Sequence, residues 1–162
     1  MNCIVRKPVD DDYPLISHLL ERSFAPSVSE AELVRSLKRR GKISFDFVAE
    51  DRGHIAAYVC YSAAYDSGRG MIGYHLAPLA VLPEKQRQGI GLQLMRESLA
   101  LIGKQLPVYV LGDPEYYARF GFRADKTQTC SFDPEGRSFL VLFESPLPPR
   151  EVFYEQEFME FA

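Results

Sequence analysis

The residues with the clearest chemical meaning lie in one stretch, Leu79-Ala80-Val81-Leu82-Pro83-Glu84-Lys85-Gln86-Arg87-Gln88-Gly89-Ile90-Gly91-Leu92. A buried strand, a polar turn and two glycines stand directly before an amphipathic segment. Such a turn leaves several backbone N–H groups unpaired at a helix N-terminus, where the helix dipole is positive. That arrangement favours a phosphate or diphosphate. Gly89 and Gly91 matter because a side chain there would hold the anion away from the backbone. Three phosphate-binding patterns can be compared. A Walker A string, G-x-x-x-x-G-K-[ST], does not occur. A Rossmann fingerprint, G-x-G-x-x-G, fails because Leu94 occupies the third glycine's place. The pattern that fits is Q-x-x-G-x-G, filled by Gln86, Gly89 and Gly91.

Positioning this turn requires a strand before it and a helix after it, and the flanking patterns supply both. Met71 to Leu82 is an apolar run, and Gln88 to Ile102 has helical spacing that buries Ile90, Leu94, Leu99 and Ile102. Upstream, Cys3 to Arg6 reads as a first strand. A helix then runs from about Asp11 to Arg22, with Leu15, Ile16, Leu19 and Leu20 on one face, and a second opens at Ser29 and ends in Lys38-Arg39-Arg40-Gly41. Ser44 to Glu50 and His54 to Ser62 form a hairpin about Asp51-Arg52-Gly53, and the Asp66 to Gly70 turn leads into the central run. Downstream, Pro107 to Leu111 is a strand and Asp113-Pro114 opens a short helix to Phe120. Phe122 to Phe132 and Ser138 to Phe143 read as a final strand pair joined through Asp133-Pro134-Glu135-Gly136. Tyr154, Phe158 and Phe161 recur at i, i+4 and i+7, which suits one face of a short docked helix in the tail after Ser145. The order, β-α-α-β-β-β-α-β-α-β-β, implies a mixed α/β layer structure with hairpins on one side and a strand–helix–strand crossover on the other.

The whole-chain numbers bound the function. The chain has 162 residues, enough for one domain over 1–162 with 145–162 as a packed extension. A net charge of -3 carries no basic excess for general nucleic-acid binding. Cys3, Cys60 and Cys130 are too scattered for a disulfide framework or a zinc site, and His18, His54 and His75 form no H-E-x-x-H pair, so no metal is expected. The N-terminal segment places charges where a signal peptide needs an apolar core. No run approaches the ~18 apolar residues of a membrane span. The expectation is a cytoplasmic protein without a nucleic-acid or membrane partner, monomeric or homodimeric.

With Gln86, Gly89 and Gly91 in place, the chain resembles the GNAT N-acetyltransferase superfamily, whose acetyl-CoA motif is [QR]-x-x-G-x-[GA] between a strand and a helix. A second match follows in Gly112-Asp113-Pro114-Glu115-Tyr116-Tyr117-Ala118-Arg119-Phe120-Gly121-Phe122, where Tyr117 stands four residues before a Gly-Phe pair. The resemblance covers about residues 2–145. It implies a central mixed, splayed sheet of about six to seven strands flanked by about four helices. It further implies that backbone groups of Leu79, Ala80 and Val81 hold the acetyl and pantetheine arm like an added strand, and that amides of Gln86, Arg87, Gln88, Gly89, Ile90 and Gly91 hold the diphosphate. The co-substrate is then acetyl-CoA and the acceptor a small-molecule or peptide amine.

By the same resemblance Tyr117 is the acid for the leaving thiolate. His75, which shares strand parity with Ala77 and Leu79, is a candidate relay for the amine's proton. The sequence departs from the arylalkylamine acetyltransferases at Ala77, where they carry a second histidine. Plainer readings stand beside these: a core aromatic for Tyr117 and a structural histidine for His75. Three functions remain open at this point, namely an active acetyltransferase, a non-catalytic acyl-CoA-binding module of the same fold, and a phosphate binder unrelated to coenzyme A.

Overall fold

A computed structural model describes residues 3–161; Met1, Asn2 and Ala162, part of the expected domain and tail, lie outside the described residues. A short strand, β1 (Ile4–Arg6), precedes the helices α1 (Tyr13–Ser23) and α2 (Ser29–Arg39). Three antiparallel strands follow, β2 (Ile43–Asp51), β3 (His54–Tyr65) and β4 (Met71–Val81). Helix α3 (Ile90–Ile102) crosses over to β5 (Val108–Leu111), which pairs in parallel with β4. The chain continues through α4 (Pro114–Ala118), β6 (Arg123–Ala124), β7 (Gln128–Thr129), β8 (Phe139–Leu142), β9 (Arg150–Glu151) and α5 (Glu157–Glu160). The main sheet has seven strands in the order β1-β2-β3-β4-β5-β8-β6, and β7 and β9 form a separate parallel pair.

Each face of the sheet carries its own core. On one face, Leu94 and Met95 of α3 and Tyr117 of α4 pack with Phe47, Val59, Tyr61 and Leu76. On the other, Ile16, Leu19 and Leu20 of α1 and Leu33, Val34 and Leu37 of α2 cover Val48, Tyr58, Cys60 and Ala80. The apolar spacing read from the sequence thus puts each helix on the sheet by its expected side. Leu15, read as part of the α1 stripe, is 57% exposed and belongs to the outer face.

Two features of β4 shape the site. Among the described residues it pairs with β5 only at Tyr74–Val108 and His75–Tyr109 and has no partner on that edge from Leu76 to Val81, so the sheet splays open. Its register with β3 also shifts. Val59 faces Leu79 while Tyr61 faces Leu76, so β4 holds one residue more than β3 over this interval. Side-chain parity reverses across that bulge. Tyr74 and Leu76 pack on the α3 side, and so do Leu79 and Val81.

The C-terminal third departs from the expected strand pair. Only Arg123 and Ala124 pair with β8, opposite Val141 and Leu140. The Asp125 carboxylate accepts hydrogen bonds from the Thr127 backbone N–H and hydroxyl, an Asx turn that ends the strand. Gln128 and Thr129 then turn away to meet Arg150 and Glu151. The tail helix is shorter than its aromatic spacing predicts: it covers Glu157–Glu160, and Tyr154 precedes it in an extended segment where Phe153 bridges to Tyr65. The tail is tied down by charge. Arg40 donates to Glu157 at 2.7 Å, Lys42 to Glu157 at 3.2 Å, and the Tyr65 hydroxyl to Glu155 at 2.8 Å.

Candidate active site

After Val81 the chain makes one 3-10 turn over Pro83–Lys85 and then two left-handed residues, Arg87 at φ 63° and Gly89 at φ 82°. Lys85 N–H donates to the Leu82 carbonyl at 2.8 Å and Gln86 N–H to Pro83 at 3.4 Å. The next amide with an internal partner is Gln93, which donates to Gly89 at 3.0 Å. Among the described residues the N–H groups from Arg87 to Leu92 therefore have no protein acceptor, and no side chain caps α3. The free donors gather at the positive end of a thirteen-residue helix. No atom of the described residues lies within 4 Å of where a Cβ on Gly89 would stand, so the cradle is open on that side.

The expected set shifts slightly. The Gln86 amide faces back into the 3-10 turn, and the side chain does the positioning: Gln86 Nε2 donates to the Val81 carbonyl at 3.1 Å, which also receives Ser23 Oγ at 3.2 Å. Gln88 Nε2 closes the turn onto the Glu84 carbonyl at 3.2 Å. Ile90 contributes only its amide, since its side chain is buried in the core. Arg22 pairs with Glu84 and Lys85 with Asp51, which fixes α1 and the β2–β3 turn to the same loop.

The cradle opens into a cleft of about 550 Å³ bounded by Leu79 and Val81 of β4, the turn, and Tyr116 and Arg119. Leu82 N–H donates to Ala56 on β3. Alternate residues of an antiparallel strand point their backbone groups the same way, so those of Ala80 also face β3. Those of Leu79 and Val81 face the splayed edge instead. Of the three residues expected to offer backbone groups, Leu79 offers both, Val81 its N–H alone, and Ala80 neither.

Tyr117 lies on the α3 side of the sheet, 9% exposed, with its ring against Phe122 at 5.5 Å and Tyr116 at 5.0 Å. Burial, followed by the neighbouring Tyr116, pushes its hydroxyl up to about 12, with no hydrogen bond contributing. Tyr116, which the sequence reading passed over, is the tyrosine that lines the cleft. Its hydroxyl comes within 3.3 Å of where a Cβ on Gly91 would stand. Successive helical residues point about 100° apart, so one tyrosine faces the core and the other the α3 N-terminus. The signal was the i, i+3 pairing of Tyr116 with Arg119, whose guanidinium stands 4.8 Å over the phenol ring.

His75 is not in the cleft. The β4 bulge breaks the parity that linked it to Leu79, and it lies on the opposite face from Leu76, under the tail. Its ring stacks on Tyr154 at 3.4 Å with a 2° tilt and meets Phe158 at 4.4 Å. It is 3% exposed, Nδ1 has no hydrogen-bond partner among the described residues, and burial drives its pKa down to about 3. The structure thus gives His75 the place of a neutral core residue and corrects its reading as a relay facing the acceptor.

An imidazole with a folded pKa near 3 takes up a proton more readily once the chain unfolds, where its ordinary value is 6.5. The native state therefore loses stability as pH falls from about 6.5 toward 3, at up to about 1.4 kcal/mol per pH unit. Urea unfolding of wild type and His75→Phe at pH 7 and pH 5.5 measures this. The wild type should lose about 1 kcal/mol more than the variant over that interval. Equal losses would place the charged imidazole within reach of water.

Among the described residues no group of three or more His, Cys, Asp or Glu side chains could hold a metal ion, and no helix is long and apolar enough to cross a membrane. Residues 44–124 match the family model described as Acetyltransferase (GNAT) domain. The uncharacterized N-acetyltransferase YhbS of Escherichia coli is 37% identical over 122 residues, 74% of this chain and 72% of YhbS. The crystal structure of that GNAT family N-acetyltransferase in complex with CoA superposes with a TM-score of 0.89 at 31% identity, covering 100% of this chain and 94% of the other. A GNAT family acetyltransferase from Brucella melitensis, crystallised in complex with acetyl-CoA, gives a TM-score of 0.82 at 32% identity, with 97% and 98% covered.

Proposed function

The chain belongs to the GNAT acetyltransferase family, and from that premise we propose that it binds acetyl-CoA and transfers the acetyl group to a primary amine. The observation that carries this reading is the run of unpaired amides from Arg87 to Leu92, open beside the unpartnered edge of β4. The fit is specific to an extended anionic ligand. Successive N–H donors at a helix N-terminus suit a diphosphate, and a bare strand edge next to it suits the amide-bearing arm of a pantetheine chain. Bound there, acetyl-CoA would supply an activated thioester.

The protein's own groups do the rest. Arg87, Gln88, Gly89, Ile90 and Gly91 offer backbone donors to the diphosphate, and the Gln86 side chain holds the turn in shape. The N–H groups of Leu79 and Val81 face the splayed edge as preorganised donors for an oxygen that gains negative charge. Tyr117 keeps its proton throughout the neutral range because its pKa lies near 12. It therefore stands as an O–H hydrogen-bond donor for a thiolate leaving group, and to give up the proton outright its pKa must fall toward that of the thiol, about 8.5, once the ligand is bound. The acceptor must arrive as a neutral amine, since an ammonium of pKa about 10.4 has no lone pair to attack with. Its rate should accordingly rise with pH above neutrality.

The test is calorimetry with acetyl-CoA followed by a thiol-release assay against small amines, amino acids, polyamines and peptides. Binding with turnover on at least one amine is expected. Tight binding with no turnover on any of them would move the protein to the acyl-CoA-sensor reading. Failure to bind the coenzyme would sink both.

A further inference from the structure

A separate cavity of about 250 Å³ lies at the β1–β2 edge of the sheet, by the start of α1 and the end of α2. It holds charges of both signs: Asp46 of β2, Lys38 of α2 and Lys7 after β1, with Tyr13 and Ser44 beside them. Among the described residues β1 pairs with β2 only from Val48 to Glu50, and Pro8 has no N–H with which to continue the ladder. The start of β2 therefore keeps a bare edge along the cavity. Asp46 is half-buried, and its partners are two neutral hydroxyls on one oxygen. Tyr13 Oη donates to Oδ2 at 2.7 Å and Tyr58 Oη at 2.9 Å. Burial pushes both phenols above their ordinary pKa, so they stay protonated as donors. Among the described residues Oδ1 accepts no hydrogen bond and Asp46 makes no ion pair. Lys7 makes none either. The Lys38 ammonium stands 4.6 Å over the Tyr13 ring and reaches only the exposed Asp10, at 3.8 Å. Burial raises the Asp46 pKa against the pull of the two hydroxyls and of the Lys38 and Lys7 charges, as fits a carboxylate short of a close cation.

We propose that this cavity binds a free amino acid, with its ammonium on Asp46 Oδ1 and its carboxylate between Lys7 and Lys38. The proposal does not depend on the acyl-CoA reading, because the cavity shares no lining residue with the cleft at the α3 N-terminus. A zwitterion answers both signs of charge at once. A plain cation would meet two lysines, and a plain anion would meet Asp46. An ionised carboxylate has about four acceptor positions, and the tyrosines fill only two of them. An ammonium on the open oxygen would make a charge-assisted hydrogen bond to a group whose other oxygen is already fixed. Size selects among the zwitterions. The cavity has the volume of about eight waters at roughly 30 Å³ each, which suits a small amino acid and excludes a peptide.

Calorimetry on the full chain, without coenzyme so that no transfer can occur, tests this with glycine, alanine, serine, threonine and valine. At least one should bind with a Kd of about 1 mM or below. For alanine the matched probes are propionate, which lacks the ammonium, and ethylamine, which lacks the carboxylate. Both should bind at least about tenfold more weakly, as the equivalent pair should for whichever amino acid binds best. Asp46→Asn keeps the shape of the side chain and should lose at least about tenfold in affinity. The double variant Lys7→Met/Lys38→Met should bring the amino acid down to the level of its matched amine, and melting temperatures check that both variants fold. No binding of any of the five up to about 10 mM would overturn the proposal. Undiminished binding in Asp46→Asn and in the double variant would also overturn it, by placing the amino acid elsewhere, for example in the acceptor's position. Ethylamine bound as tightly as alanine would reduce the cavity to a bare cation site and overturn the zwitterion assignment.

Discussion

Gly89→Glu should abolish coenzyme A binding, weakening it by at least about 100-fold, while the protein stays folded. Two separate effects act at this position. Gly89 sits at φ 82°, so any L-residue there is strained by about 1–2 kcal/mol. That cost bears on stability and is small enough for the domain to survive. The loss of binding comes from occupancy and charge. The space beyond Gly89 contains no atom of the described residues within 4 Å, so a longer side chain extends without a clash at its Cβ into the volume proposed for the diphosphate. A carboxylate there also takes up the free amides from Arg87 to Leu92 as an internal anion. Calorimetry with coenzyme A, paired with thermal melts, reads both effects. Gly89→Ala separates them, because it carries the strain without the charge and should keep measurable affinity. Unchanged binding in Gly89→Glu would mean that the ligand's phosphates are held elsewhere.

The same turn shows why some of the site could be read from the sequence and some could not. Gly89 and Gly91 are legible because a left-handed φ at Gly89, and at Gly91 a Cβ that would stand 3.2 Å from Val81 and 3.3 Å from the Tyr116 hydroxyl, leave few residue types to choose from. The burial of Leu94 on α3 was legible because helical spacing commits a residue to a face. Tyr117 could be picked out by its distance from Gly121-Phe122. His75 could not be placed, because parity counting assumes an unbroken strand, and one extra residue between Leu76 and Leu79 moves every side chain before it to the other face. That residue leaves no mark in the hydrophobic pattern, which is apolar on both sides of the strand. The motif points to Gln86 by position but carries no sign that its amide turns toward Pro83 at 3.4 Å, since that 3-10 turn depends on Pro83 and Leu82 and not on the motif. The tail's spacing was real, and Phe158 and Phe161 do pack against the α1–α2 core. The helix that should carry it is only four residues long, so Tyr154 reaches His75 from an extended segment.

Tyr117→Phe is the second large effect, an expected fall in kcat of about 10²-fold or more with little change in KM for acetyl-CoA. The substitution removes one oxygen and leaves the ring. Because the hydroxyl shares no hydrogen bond that raises or lowers its pKa, its loss breaks no network, and the melting temperature should hardly move. A purely structural tyrosine would give the opposite pattern, with activity intact. Gly112→Ala supplies the complementary test. A Cβ at Gly112 would stand 2.9 Å from Tyr117 Cδ2 and closer still to Cε2, so either the ring or the β5–α4 junction must shift. Overpacking of this kind costs about 1–3 kcal/mol, and it displaces the hydroxyl even though the hydroxyl is still present. Gly112→Ala should therefore lose stability and rate together, where Tyr117→Phe loses rate alone. Should Tyr117→Phe keep its rate, the proton would have to come from the tyrosine that borders the cleft, and Tyr116→Phe would show the fall instead. Measuring kcat, KM and melting temperature for Tyr117→Phe, Gly112→Ala and Tyr116→Phe side by side assigns the acid to one ring or the other.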